Sequence, residues 1–156
     1  MKYIFIKEKG GLNMSNSIGL LIMTHGDFGK EAIKSAELIV GKQDNYETLS
    51  VFVVDEIDNL KTELLNKISG LNTSEGLVIF TDIVGGTPYN LASYLLEQEN
   101  TMVVTALNMS MLISFLIART GKFKNMESIL RESYEQGFNI RTKLEIEGED
   151  EDGYSL

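Results

Sequence analysis

From residue 18 to residue 23 the chain reads Ile-Gly-Leu-Leu-Ile-Met without a polar side chain. A run this short and this continuous predicts a strand covered on both faces. The period then changes. Phe28, Ala32, Ile33, Ala36, Ile39 and Val40 recur at three- and four-residue spacing, which predicts a helix that Gly41 ends. The alternation repeats along the chain. Residues 48–54 form a second β-rich run, and Ile57, Leu60, Leu64 and Ile68 make a second helical stripe closed by Gly70. Residues 77–81 are a third strand, after which Thr87 and Pro88 read as N-cap and first position of a helix with Leu91, Leu95 and Leu96 inward. Residues 101–106 are a fourth strand. Helical stripes come next at Met111, Leu112, Phe115 and Leu116, and at Phe123, Met126, Leu130 and Tyr134.

The final element differs in kind. Phe138, Ile140, Thr142, Leu144 and Ile146 alternate with polar residues, which predicts a strand with one wet face, placed at an antiparallel edge or across a subunit boundary. Four βα units predict an α/β fold, a flavodoxin-like doubly wound sheet of four parallel strands in the order 2-1-3-4. Residues 14–146 make up this one domain.

The two ends read differently from the body. Residues 1–13 carry no helical or strand period that runs on into the first strand. Lys9-Gly10-Gly11 can be encoded by a purine-rich AAGGAGG, the form of a bacterial ribosome-binding site, with Met14 a short spacer downstream. We therefore expect translation to start at Met14 and residues 1–13 to be a leader outside the native protein. Residues 147–156 read as a solvated acidic tail.

A length of 156 residues suits one domain, and 43% hydrophobic with 24% charged residues is a globular composition. The formal charge is −9, and the six acids among residues 145–156 contribute −6 of it, leaving −3 for the rest. That balance argues against nucleic acid or an anionic membrane surface as partner. No apolar run is long enough to span a bilayer, so direct membrane insertion is not expected and the chain reads as cytoplasmic. With no cysteine and a single histidine, His25, thiolate catalysis, zinc ribbons, iron–sulfur clusters and three-histidine metal sites are excluded.

Candidate chemistry gathers at one predicted edge. In the order 2-1-3-4, strands 1 and 3 are neighbours, and ligands bind outside their carboxyl ends. His25 follows strand 1; Asp82 follows strand 3, with Gly85-Gly86-Thr87-Pro88 leading into the next helix. An aspartate accepting the Nδ1–H of His25 would fix the tautomer, turn Nε2 outward as a nucleophile and stabilise the cation formed on attack. The amides of Gly85 and Gly86, the Thr87 hydroxyl and the helix start can hold an anion. Each residue also has a plainer use: His25 as a loop residue, Asp82 and Thr87 as caps, and the glycines as turn formers. What favours function is that all of them meet at one switch point. No Walker A or G-x-G-x-x-G motif is present, so nucleotide binding has no support.

Three segments at corresponding strand ends carry a resemblance: Ile22-Met23-Thr24-His25-Gly26, residues 81–90 (Thr-Asp-Ile-Val-Gly-Gly-Thr-Pro-Tyr-Asn) and residues 106–112 (Ala-Leu-Asn-Met-Ser-Met-Leu). Together they resemble the enzyme IIA component of the mannose/fructose/sorbose class of the bacterial sugar phosphotransferase system, over roughly residues 16–144. The resemblance implies that His25 accepts a phosphoryl group from the phosphohistidine of the carrier HPr. It then passes the group to an enzyme IIB, for sugar uptake through membrane IIC/IID components. It implies that Asp82 orients His25, that Gly85, Gly86 and Thr87 bind the phosphoryl group, and that Thr24, Gly26 and Asn108 form the rim. It implies a homodimer that exchanges the C-terminal strand, a separate IIB chain, and neither cofactor nor metal. Ser110 stands where the family commonly has proline. Two alternatives stay open at this point. One is a phosphocarrier domain serving a dihydroxyacetone kinase; the other is a non-catalytic module that senses an anion at His25. A hydrolase using His25 as base lacks a G-x-S-x-G nucleophile.

Overall fold

The structure is a computed structural model and describes residues 16–143. The leader 1–13 and the tail 147–156 therefore lie outside the described residues, as does most of the second half of the expected C-terminal strand. The chain alternates β1 (Gly19–His25), α1 (Phe28–Val40), β2 (Tyr46–Val51), α2 (Ile57–Ser69), β3 (Leu77–Thr81), α3 (Thr87–Ser93), β4 (Thr101–Val104), α4 (Met109–Ala118) and α5 (Met126–Gly137). Single 3₁₀ turns at Tyr94–Glu97 and Phe123–Asn125 extend α3 and precede α5. All strand pairs are parallel, in the order β2-β1-β3-β4. The chain is thus a doubly wound α/β fold with β1 and β3 side by side at its centre.

Alternation along the central strands splits the core in two. Ile18, Leu20 and Ile22, with Val78 and Phe80, pack against Ala32 and Ile33 of α1, Leu112 and Phe115 of α4, and Met126 and Leu130 of α5. Leu21 and Met23, with Leu77 and Ile79, pack against Leu60, Leu64 and Ile68 of α2 and Leu91 of α3. A period of two within strands thus feeds two helical layers of period 3.6. Phe80 and Phe115 meet edge to face across the first layer, their centroids 5.7 Å apart.

Four local expectations change, each for a physical reason. β2 stops at Val51 rather than at residue 54. The Asp55 carboxylate accepts the Phe52 N–H at 2.6 Å and the Asp55 N–H returns to the Phe52 carbonyl, closing a turn that puts Val53 and Val54 in solvent. Thr87 is the first residue of α3, and Gly86 occupies the cap position. Leu96 is exposed because the chain tightens into the 3₁₀ turn, which rotates side chains further per residue than an α-helix does. β4 ends at Val104, before Ala106 takes up a left-handed conformation (φ 59°).

Residues 138–143 follow α5, are exposed, and pair with no strand of their own chain's sheet. Gly137 ends α5 against Ser110 in the first turn of α4, at a spot where a Cβ would collide with the serine side chain. No helix among the described residues is long and apolar enough to cross a membrane.

At the opposite end of the sheet from His25, Arg119 is buried against backbone. Its guanidinium donates to the carbonyls of Ile18 (Nε 3.1 Å, Nη2 2.8 Å), Asp44 (3.0 Å) and Asn45 (2.7 Å), and it lies 5.6 Å from the Phe115 ring centroid. Burial pulls its pKa down to about 10, opposed by Asp44, so it stays charged at neutral pH. Asn45, left-handed at φ 48°, donates to the Ser17 and Asn72 carbonyls and accepts the Asn72 N–H. These two side chains join the start of β1, the turn before β2 and the loop after α2.

Candidate functional site

His25 is the last residue of β1, and Asp82 is the first residue after β3, so the central strand pair delivers both to one edge. A single carboxylate oxygen, Asp82 Oδ2, lies 2.9 Å from the His25 backbone N and 2.9 Å from its Nδ1. The other oxygen accepts the Ile83 N–H at 2.9 Å. Asp82 therefore grips both the backbone and the ring of His25, while its own loop grips Asp82.

Burial alone would push the Asp82 carboxyl up. The His25 backbone N–H, the His25 ring and the Ile83 N–H together outweigh it and hold the group below the ordinary carboxylate range. Ionised Asp82 is an acceptor only, so a neutral His25 ring keeps its proton on Nδ1 and its lone pair on Nε2. The imidazole is half exposed, 50%, against 18% for the Asp82 side chain. A fixed tautomer presented to solvent suits a nucleophile, whereas an anion contact needs a proton on Nε2 as well.

The residues expected around this pair divide into two groups. His25, Gly26 and Thr87 line one cleft of about 510 Å³, with Val51, Phe52, Val53, Asp55, Ile57 and Leu60. The Gly26 N–H donates to the Val51 carbonyl at 2.8 Å, which binds the His25 loop to β2. Gly86 adjoins the ring, since a Cβ on it would stand 2.7 Å from His25 Cε1, while Gly85 before it turns the chain at φ +78°. Asn90 fastens this turn, donating from Nδ2 to the Gly85 carbonyl and from its backbone N to that of Gly86.

Thr24 and Asn108 are placed elsewhere. Thr24 is buried; its hydroxyl accepts the Gly29 N–H at 2.8 Å and donates to the Gly26 carbonyl, so it shapes the turn into α1 from beneath. Asn108 caps α4, accepting the Met111 N–H at 3.0 Å, and lines a separate cleft with Ala106, Ser110, Tyr134 and Phe138. The loop carrying it is joined to the site indirectly, because the Ala106 N–H donates to the Asp82 carbonyl.

Sequence reasoning missed the exposed apolar residues of the loops at this edge, of which Phe52, Val53 and Ile57 share the cleft with His25 and Ile83 lies beside Gly86. Phe28, Phe52, Val53, Val54, Ile57, Ile83 and Val84 are all exposed, Val53 and Val54 at 105% and 88%. A signal was available at Ile83 and Val84. Two branched apolar residues between a strand-terminal acid and a Gly-Gly turn have no buried face to occupy. At residues 52–54 the β propensity of Phe-Val-Val masked it.

A family model described as PTS system fructose IIA component matches residues 19–133. The chain is 29% identical over 104 residues to the PTS system mannose-specific EIIAB component of Escherichia coli K12, which covers 66% of this chain and 32% of that protein. The chain thus spans about a third of the length of that relative. It is 26% identical over 125 residues to the PTS system fructose-specific EIIA component of Bacillus subtilis, covering 79% of this chain and 86% of that one. Among solved structures, the PTS IIA protein associated with the fucose utilization operon of Streptococcus pneumoniae superposes with a TM-score of 0.71 at 27% identity, over 79% of this chain and 93% of that one. The mannose/sorbose specific IIA subunit from Enterococcus faecalis shares the fold, with a TM-score of 0.71 at 21% identity, over 81% of this chain and 96% of that one.

Proposed function

Because the chain belongs to the family of PTS system fructose IIA components, we propose that it is a phosphohistidine carrier whose nucleophile is His25 Nε2. The observation that carries this reading is the 2.9 Å contact of Nδ1 with Asp82, which leaves the other ring nitrogen free at the cleft mouth. In this reading the donor is the phosphohistidine of HPr. The donor's P–N bond breaks as a bond from phosphorus to Nε2 forms, while Asp82 balances the positive charge that develops on the ring. Gly85, Gly86 and Thr87 hold the phosphoryl oxygens. The group then moves to a histidine of an enzyme IIB, which serves sugar uptake through the IIC/IID membrane components.

Among the described residues, no Lys or Arg lines the His25 cleft. A cradle of amides and one hydroxyl stabilises the phosphorylated form moderately, and a carrier must release what it accepts. Exposed apolar side chains at Phe52 and Val53 in the cleft, and at Val54, Ile83 and Val84 in the same loops, fit a site that meets proteins rather than a free small substrate. Such a carrier works in the cytoplasm. In the same reading, the segment that begins at Phe138 is the one exchanged in a homodimer, consistent with the exposure of Phe138 and Ile140 within one chain.

The test is incubation with phosphoenolpyruvate, enzyme I and HPr. An acid-labile, base-stable mass gain of one phosphoryl group, absent from His25→Ala, is the expected result. Wild-type protein that gains no mass would leave His25 as an anion sensor.

A further inference from the structure

Gly85 and Gly86 are adjacent, yet they are glycines for opposite reasons. Gly85 lies at φ +78° with nothing within 4 Å of where a Cβ would stand, so its backbone needs glycine and its surroundings do not. Gly86 has φ −73° and ψ 167°, extended backbone open to any L-residue. Its surroundings are what exclude a side chain. A Cβ there would stand 2.7 Å from His25 Cε1, 3.3 Å from His25 Nε2 and 3.1 Å from Ile83 Cγ2. The first distance is well inside van der Waals contact.

We propose that Gly86 is a positioning residue for His25: its bare Cα is the wall against which the Cε1–Nε2 edge of the imidazole rests. Asp82 holds Nδ1 at 2.9 Å, and Gly86 stands against the adjoining Cε1–Nε2 edge, so two neighbouring stretches of the ring are fixed without a second hydrogen bond. Nε2 keeps its lone pair unengaged, and the ring cannot drift toward the Gly-Gly turn. Because the imidazole is half exposed, a methyl group at position 86 displaces it toward solvent rather than unfolding the protein. The Nδ1 contact with Asp82 then breaks, and the tautomer is no longer fixed.

The inference rests on the phosphocarrier reading only for its kinetic consequence. The test is Gly86→Ala in the full chain, with three readouts. Imidazole ¹⁵N spectra of the wild type should report one tautomer, protonated at Nδ1, and those of Gly86→Ala a mixture. The maximal rate of phosphorylation by phospho-HPr should fall by about tenfold or more, with KM for HPr within about twofold. Any loss of Tm caused by Gly86→Ala should shrink when the same change is made in His25→Ala, where the ring is gone; this cycle also serves if the single variant folds poorly. An unchanged tautomer in Gly86→Ala, or an equal Tm loss in both backgrounds, would overturn the proposal. A wild type that HPr does not phosphorylate, together with the predicted tautomer change, would remove the phosphocarrier reading and leave the positioning role standing.

Discussion

At the scale of single residues, Asp82 shows why an isostere need not be a substitute. Both carboxylate oxygens accept from backbone N–H groups, Oδ2 from His25 and Oδ1 from Ile83. An asparagine must therefore turn its NH₂ toward one of these donors, and if it faces His25 it also reverses the ring tautomer. Asp82→Asn is expected to fold and to transfer phosphoryl groups roughly a hundredfold more slowly, measured by single-turnover phosphorylation. Its stability deficit should also depend on pH. A carboxyl held below its usual range stabilises the fold above the unfolded-state pKa, and that contribution is lost as pH falls through the folded-state pKa. The difference between wild type and variant in urea melts should thus be constant near neutrality and shrink in acid below about pH 4.

Thr81, the residue before, is fully buried, and its Oγ1 finds no partner among the described residues. Thr81→Val removes that unmatched hydroxyl at almost constant volume and should raise stability by about 1 kcal/mol in the same melts. These cases also show how much of the site the sequence disclosed. His25 and Asp82 were legible because strand order alone brings their positions together. The inward turn of Thr24 and the close approach of the His25 ring to Gly86 were not, since both depend on side-chain direction and on distances of a few ångströms.

Elements show the same division. Period and breakers place β1, β3, α1, α2 and α4 within a residue or two, because buried apolar faces dominate there, whereas the stripes read for α3 and α5 run into the 3₁₀ turns beside them. β2 overruns in the sequence reading because the Asp55 turn, closed by two hydrogen bonds with Phe52, decides against β propensity. That turn holds Val53 and Val54 out beside His25. Val53→Asp should therefore leave Tm unchanged and raise KM for the phosphodonor protein by about tenfold. Chemical phosphorylation by a small donor should be unaffected, and a variant slowed equally with both donors would show that the loop shapes the site instead of meeting the partner.

Arg119 acts on the elements at the far end. No sequence signal marks it, because a buried arginine satisfied by carbonyls has the same one-letter code as a solvated one. Arg119→Ala removes the side-chain donors to the carbonyls of Ile18, Asp44 and Asn45 and is expected to cost about 3 kcal/mol in urea melts, with Arg119→Lys recovering only part.

For the whole molecule, the open question is how many chains complete the sheet. Among the described residues β4 lies at the edge of the sheet, and residues 138–143 leave α5 exposed to solvent. If the strand exchange operates, the intact protein sediments at twice the chain mass. A chain ending at Gly137 should sediment as a monomer and retain phosphorylation at His25; a dimer of that truncated chain would place the interface elsewhere.

The Arg119 clamp also bears on how the molecule is made. Arg119 lies 101 positions after Ile18, whose carbonyl it grips. On the ribosome β1, apolar from Ile18 to Met23, therefore emerges long before its anchor exists, an interval of roughly 5–20 s at ordinary elongation rates. Protection of that strand from proteases should accordingly begin only once α4 has left the exit tunnel, which makes the early nascent chain a natural client for a holding chaperone.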